Sequence, residues 1–456
     1  MPVLSAAAPA LEPVPWLAVA PFVLLLLSIA VLPLVAHHWW ESNRNRGLVS
    51  AVLGVPVAAW LLLGPAGGAG WLADAGLEYA AFLALLGSLF VVSGGVHLRG
   101  SLAGTPIVNT AVLGFGALIA SFVGTTGASM LLIRPLLRAN ASRRRRAHLV
   151  VFFIFVVSNC GGLLTPLGDP PLFLGFLRGV PFGWTLSLWG PWLLVNTALL
   201  IVFHFLDEAV LDREERERPG SQLEEVQKVR EPLRLEGGHN VLFLAGVVAT
   251  NVGVGWASRE GGWSHAVRDL CLVAGMATMA VLSLLTTPRR LREANRFAWA
   301  PIVEVAVVFA GIFVTMVPAM KLLDGLVADG TIELREPWQF FWATGGLSAF
   351  LDNAPTYVTF ATVAGGVAGK AAGVHVEPTA LGGLLALPGG EGLLAAVSCG
   401  AVFMGAATYI GNGPNFMVKA IAEQSGVRMP SFFGFLGWSV AVLVPILVAV
   451  TFVFFR

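Results

Sequence analysis

Apolar stretches long enough to cross a bilayer recur along this chain, separated by short polar links. Runs at 16–36, 48–64 and 79–96 come first. His37-His38-Trp39-Trp40-Glu41, then Arg44 and Arg46, follow the first run, and Asp74 and Glu78 fall in the Gly-rich link before the third. The next run, 105–137, is broken halfway by Gly124-Thr-Thr-Gly127. A polar, Gly-flanked centre in so long a run predicts two half-length helices meeting at a turn, a re-entrant hairpin. Residues 147–178 are interrupted in turn by Ser158-Asn-Cys-Gly-Gly-Leu-Leu-Thr-Pro-Leu-Gly-Asp-Pro-Pro171, and a span at 183–205 closes the series. Spans at 240–256, 266–286 and 297–318 open a second series. It continues through an interrupted run at 338–364 centred on Asp352-Asn353-Ala-Pro355, a broken run at 391–424 and a last span at 432–455.

The second broken run carries Thr408-Tyr-Ile-Gly-Asn-Gly-Pro-Asn-Phe-Met417, an echo of the first. Aligned at Gly168 and Gly411, the two set Thr165 against Thr408, Asp169 against Asn412, Pro171 against Pro414 and Phe173 against Phe416. Lipid supplies no hydrogen bonds, so a helix breaks inside a bilayer only where protein or water meets its freed backbone groups. Two such breaks, one in each half, are the pattern of an alternating-access carrier. The chain therefore reads as an all-α polytopic membrane protein built as an inverted-topology repeat, with two re-entrant hairpins and two broken transmembrane helices. Its parts are an N-terminal repeat (1–206; inward hairpin 105–137, broken helix 147–178), a charged cytoplasmic linker (207–238) and a C-terminal repeat (239–456; outward hairpin 338–364, broken helix 391–424). The arginines at 44, 46, 99, 143–146, 289, 290, 292 and 296 and the linker all fall on one side if the spans alternate in this way, which makes that side cytoplasmic.

Composition agrees. Of 456 residues 56% are hydrophobic and 12% charged, against about a quarter charged in soluble domains. A net charge of +1 gives no reason to expect a nucleic-acid partner. Cys160, Cys271 and Cys399 lack paired spacing, so neither a disulfide framework nor a thiolate metal site is expected. Trp16, Trp39, Trp40, Trp71, Trp184, Trp192 and Trp338 sit near segment ends, as interfacial belts require. The first run is long and lacks a basic lead, and so reads as a spanning helix rather than a cleaved signal. No Walker-type loop, zinc-ligand spacing or nucleophile elbow occurs, which leaves ATP drive and hydrolysis without support and gives no reason to expect an enzyme or a bound cofactor. A non-transporting scaffold would have no use for two matched breaks.

Candidate chemistry gathers at the breaks and tips. Asp169, a carboxylate at bilayer depth, is either a cation ligand and proton carrier or the N-cap of the half-helix opened by Pro170. Asp352 and Asn353 at the second tip match Thr125 and Thr126 at the first, a turn or cap being the alternative. Hydroxyl, amide and carbonyl oxygens suit a small hard cation such as Na+. Ser158, Asn159, Thr165, Gly168, Thr408, Gly411, Asn412 and Asn415 complete the candidate set, the alternative for them being only to serve the opened backbone. Asp169 and Asp352 are the candidate Na+ ligands, and with Glu304 the candidate proton-coupling groups; Glu304 is equally readable as an Arg-paired interfacial residue. His97 reads as an interfacial structural histidine, and Lys419 as a cation able to neutralise an empty site or attract an anion. Half-helix N-termini aimed at the midplane also favour anions, which admits a carboxylate substrate beside Na+.

Gly124-Thr-Thr-Gly-Ala-Ser-Met-Leu-Leu-Ile, the 158–171 motif, Leu351-Asp-Asn-Ala-Pro-Thr and Thr408-Tyr-Ile-Gly-Asn-Gly-Pro-Asn together resemble the ion transporter superfamily. That group includes NhaD-type sodium/proton antiporters, citrate–metal and divalent-anion/sodium symporters and arsenite permeases; the likeness covers nearly the whole chain. It implies a homodimer in which a transport region containing hairpins and breaks moves against a scaffold. In the divalent-anion branch the tips read Ser-Asn-Thr and the breaks Gly-Thr-Pro-Pro. Here those places hold Gly124-Thr125-Thr126 and Leu351-Asp352-Asn353, then Gly168-Asp169-Pro170-Pro171 and Gly411-Asn412-Gly413-Pro414. The substrate-binding Asn is missing from the first tip and acids stand at 169 and 352, which favours cation/proton exchange over dicarboxylate binding. The resulting expectation is a Na+/H+ antiporter of the bacterial inner membrane carrying Na+ and H+ among membrane lipids. The alternative is a Na+- or metal-coupled citrate/dicarboxylate symporter.

Overall fold

The computed structural model describes residues 15–40, 42–65, 67–99, 102–217, 219, 234–295, 297–328, 334–377 and 380–456. Of the residues discussed above, Glu41, Arg296 and most of the linker, at 218 and 220–233, lie outside this set. The first half contains α1 (Ala20–Val35), α2 (His37–Trp40), α3 (Asn43–Leu63), α4 (Gly68–Ser93), β1 (His97–Arg99), α5 (Pro106–Val123), α6 (Thr125–Ala139), α7 (Ala147–Val156), α8 (Pro170–Leu177) and α9 (Trp189–Glu217). The second contains β2 (Arg234–Glu236), α10 (Asn240–Glu260), α11 (His265–Thr286), α12 (Arg289–Ala294), α13 (Ala300–Ala328), α14 (Pro337–Ser348), α15 (Asn353–Ala372), α16 (Gly390–Met404), α17 (Gly413–Gln424) and α18 (Phe432–Phe454). Among the described residues ten helices are long and apolar enough to cross a membrane. The molecule is an all-α polytopic membrane protein.

Burial is distributed as lipid dictates. Every residue of α7 from His148 to Val156 is buried, and α16 is buried from Leu393 through Met404 apart from Ala395. The peripheral helices instead turn large apolar side chains outward, among them Leu62 and Leu63 on α3, Trp256 on α10 and Leu285 on α11. Helices with broken ends thus occupy the interior, where protein can meet their freed backbone groups.

Both interrupted runs are hairpins. Gly124, at φ 80°, turns α5 into α6 without an intervening loop, a conformation that glycine adopts at little steric cost. In the second half a short turn at 349–352 separates α14 from α15. Two departures from the apolar pattern have electrostatic causes. The third span begins at Gly68 rather than at 79, so Asp74 and Glu78 lie inside α4. Glu78 is tolerated there because its carboxylate meets Arg178, at the end of α8, at 2.9 Å. Similarly, Asp207 is no linker residue: α9 continues to Glu217, and Asp207 is fully buried. Its carboxylate receives Arg143 at 2.6 Å and His148 and Asn109 at 2.8 Å, tying the base of the first hairpin and the start of α7 to α9.

Strand β1, which follows α4, pairs antiparallel with β2, which precedes α10, in the register His97↔Glu236. Three-residue strands leave no readable alternation, and periodicity does not predict them.

Candidate functional site

The two breaks unwind alike. Helix α7 ends at Val156, a 3₁₀ turn covers Cys160–Leu164, and the chain runs extended through Thr165 before α8 begins. Helix α16 ends at Met404, a 3₁₀ turn covers Gly405–Ala407, and Thr408 is again extended before α17. Each threonine pins its break to the hairpin of its own half: Thr165 Oγ1 donates to the Ser121 carbonyl and Thr408 Oγ1 to the Ala349 carbonyl. Each hydroxyl also accepts from the backbone two residues on, Leu167 N and Ile410 N, both at 3.2 Å. Close backbone crossings explain the glycines. A Cβ on Gly168 would run into the Gly162 carbonyl, and one on Gly411 would stand 2.6 Å from that of Gly405. At the first tip Thr125 N donates to the Gly168 carbonyl at 2.8 Å.

Four half-helices, α6, α8, α15 and α17, therefore begin around one buried spot, and their N-terminal dipoles favour negative charge there. Asp169 supplies it. It stands at the N-cap position of α8, but its side chain makes no capping bond there. Instead Oδ1 accepts from Thr125 Oγ1 at 3.2 Å and Asn412 Nδ2 at 3.1 Å, while Oδ2 accepts from Asn353 Nδ2 at 2.5 Å. The carboxylate is 1% exposed, and all three donors are neutral. Among the described residues no ion pair reaches it. Asn353 Oδ1, on the residue that donates to Asp169, is buried without a hydrogen-bond partner.

A second layer supports these groups. Asn412 Nδ2 also reaches Asn159 Oδ1 at 3.1 Å and the Ser158 carbonyl at 3.3 Å, and Asn159 Nδ2 reaches Asn415 Oδ1 at 2.7 Å. Asn415 gives its own amide protons to the carbonyls of Gly405 and Thr408, both at 2.8 Å, and Asn159 gives one to that of Ile154 at 2.8 Å. These two asparagines thus serve chain opened by the breaks. The chain's two halves are bonded to each other through Asp169, Asn353, Asn159, Asn412 and Asn415.

Other candidates stand elsewhere. Asp352 caps α15, its Oδ1 accepting from Ala354 N at 3.0 Å. Glu304 pairs with Arg46 of α3 at 3.0 Å, and Lys419 pairs with Glu423 at 3.0 Å on the surface of α17. His97 Nδ1 meets Asn295 Oδ1 at 2.8 Å. Thr126 is half-buried and does not join the Asp169 bonds. Two residues outside the sequence candidates also serve the breaks: Ser121, whose hydroxyl donates to the Gly161 carbonyl at 2.6 Å, and Ser129, whose hydroxyl meets that of Ser158 at 2.8 Å. Ser129 has a signal in helical spacing, four residues after Thr125 on α6; Ser121 lies across the Gly124 turn on α5 and has none.

Over residues 11–455 the chain matches the family described as Putative citrate transport. The chain belongs to that family. No curated protein matches it. With ten candidate spans, this member of the citrate transport family is a multi-pass membrane transporter, and the polar cluster around Asp169 is its candidate cargo site.

Proposed function

We propose that the protein is a secondary active carrier that exchanges Na+ for H+ at Asp169. The observation carrying this reading is a fully buried carboxylate held by three neutral donors. A bare charge in that setting costs several kcal/mol, whereas a bound proton or a bound metal cation balances it. One carboxyl that takes either makes the two compete, and competition at a single site is antiport. Thr125 Oγ1 and the unpartnered Asn353 Oδ1 are the neutral oxygens that would join Asp169 around Na+. Asn159 and Asn412 hold the halves in register, and Asp352 sets the start of α15.

In this reading the hairpins and breaks move as one body against α3, α4 and α13, in an elevator-type cycle between oppositely oriented halves. The setting is a homodimer in a bacterial inner membrane. The matched backbone of the breaks supports the repeat, and the bonds joining both breaks at Asp169 support a single moving body.

A second reading is a Na+- or metal-coupled citrate symporter. Family membership favours it, and four converging helix N-termini could receive a carboxylate. Proteoliposomes separate the two. Sodium-dependent dissipation of an imposed pH gradient, without any organic acid, is expected. Sodium uptake that requires citrate would replace exchange with symport, and uptake of neither would end both.

A further inference from the structure

Helix α4 stands on the fixed side of the proposed movement. Tyr79 Oη donates to the Ala306 carbonyl of α13 at 2.8 Å, and the Phe82 ring stacks on that of Phe309 with centroids 4.8 Å apart. The cargo body touches the same helix at three levels. Arg178, at the end of α8, meets Glu78 at 2.9 Å. Gly124 at the first hairpin tip lies against Leu89, where a Cβ would stand 3.3 Å from a leucine methyl. Gly127 of α6 lies against Ser93, where a Cβ would stand 3.2 Å from the hydroxyl. One turn nearer the start of α4 this face repeats itself: Asp74 stands four residues before Glu78, and Leu85 four before Leu89. Glu78, Leu85 and Leu89 are buried, whereas Asp74 is exposed. Among the described residues no ion pair or hydrogen bond reaches the Asp74 carboxylate. A second acid therefore stands uncovered one turn along the face that the cargo body occupies.

We propose that Arg178 passes from Glu78 to Asp74 as the cargo body advances one turn along α4, so that the two acids set two resting registers. This rests on the reading in which hairpins and breaks move as one body. Arg178 is 5% exposed, and a buried guanidinium cannot leave one carboxylate without meeting another, since an unpaired buried charge is strongly destabilising. Four residues rise about 6 Å along a helix, and one-turn ratchets are among the discrete steps by which packed elements slide past each other. In the advanced register Gly124 faces Leu85 in place of Leu89, and Gly127 faces Leu89 in place of Ser93. Leucine replaces leucine at the tip and acid replaces acid at the ion pair. The two glycines bring no side chain of their own past α4, as close sliding of helices requires. Glu78 is close enough to Asp269 of α11 for their charges to interact, and Asp269 holds Arg268 at 2.8 Å. Arg268 is thus the cation on the fixed side that answers Glu78 once Arg178 has moved on.

Cysteine pairs read the register directly in the full chain reconstituted in proteoliposomes. Gly127→Cys with Ser93→Cys reports the register of this structure, since a Cβ at 127 would lie 3.3 Å from that of Ser93 and a disulfide spans about 3.5–4.5 Å between Cβ atoms. Gly127→Cys with Leu89→Cys reports the advanced register. Each pair is oxidised during turnover and the bonded peptides are identified by mass spectrometry; both bonds are expected to form, whichever cargo crosses. Asp74→Asn, at an exposed position, should slow the 127–89 bond and the exchange turnover roughly tenfold, the scale of one lost hydrogen bond to a charged group. The Na+ constant and the 127–93 bond should not change, and Asp74→Glu should restore both slowed rates. Equal rates of the 127–89 bond with and without Asp74→Asn overturn the inference while leaving movement along α4 in place. A 127–89 bond that never forms, with the 127–93 bond intact, removes the movement itself and the inference with it. Should a cysteine pair not fold, Asp74→Asn alone carries the test: turnover lowered at an unchanged Na+ constant supports the exchange of partners, and wild-type turnover overturns it.

Discussion

At the first break the backbone passes Thr165 at φ −139°, ψ 157° and Asp169 at −142°, 142°. At the second it passes Thr408 at −138°, 169° and Asn412 at −150°, 140°. Both threonines reach back to the same hairpin carbonyl in their respective halves, and both second helices open with a proline in the first turn. The chemistry is not duplicated. One break presents a carboxylate, the other an amide, and the amide donates to the carboxylate across the middle of the protein at 3.1 Å. Backbone symmetry brings four helix N-termini together, and side-chain asymmetry leaves one charge for them to surround. Two carboxylates at this spacing would repel each other, and two amides would leave nothing to balance a cation.

The largest effect should come from erasing that asymmetry. Asp169→Asn makes the two breaks chemically alike. Removing one partner of a buried charged contact costs about 3–5 kcal/mol, so Na+-dependent pH-gradient dissipation should fall roughly 100-fold or more. The variant should still elute as a folded protein, since no cationic side chain is left unpaired. Wild-type exchange by this variant would remove Asp169 from the site. Next in size is Asn353→Ala, which takes away both a donor to Asp169 and the unpartnered Oδ1. A lost hydrogen bond to a charged group is worth about 1.5–3 kcal/mol, and the apparent Na+ constant should rise roughly 10- to 100-fold. An unchanged Na+ constant would place the cation elsewhere.

The symmetric part of the comparison has its own test. Thr165→Val and Thr408→Val each remove one bond between a break and its hairpin, together with the one bond accepted by the hydroxyl at 165 and the two accepted at 408. Each should lower stability by about 1–3 kcal/mol, measured as unfolding midpoints of the two variants side by side. Losses in both halves are expected, the larger at 408, whose hydroxyl accepts one bond more. A loss in one half alone would mean that only that threonine holds its hairpin.

Much of this was readable in the chain. Gly124, the 158–171 motif and its echo at 408–417 mark the breaks because glycine, proline and polar side chains have few uses inside an apolar run. Matching the motifs also set Asp169 opposite Asn412, the pair that meets. What stayed hidden depends on partners distant in sequence. Glu78 and Asp207 looked like residues of polar links because hydropathy counts each charge alone; Arg178, Arg143 and His148 keep both inside helices. Ser121 and Ser129 looked like ordinary helix residues until the breaks folded against them.

Asp352 gives the smallest effect and the finest distinction. It is the N-cap of α15 as Gly124 is of α6, one residue off the motif match that set it against Thr125, and it is the only acid at either tip. Its one assigned bond is local: Oδ1 accepts from Ala354 N at 3.0 Å, the contact that opens α15 and so orients Asn353 toward Asp169. Asparagine caps a helix about as well as aspartate, whereas alanine loses about 1 kcal/mol. Asp352→Asn should therefore retain exchange, while Asp352→Ala should lower both the unfolding midpoint and the Na+ affinity, the latter about fivefold. Loss of exchange in Asp352→Asn with its midpoint unchanged would make the carboxylate a cargo or proton ligand in its own right. The chain would then use one acid from each half, and the asymmetry would lie between a tip and a break rather than between the two breaks.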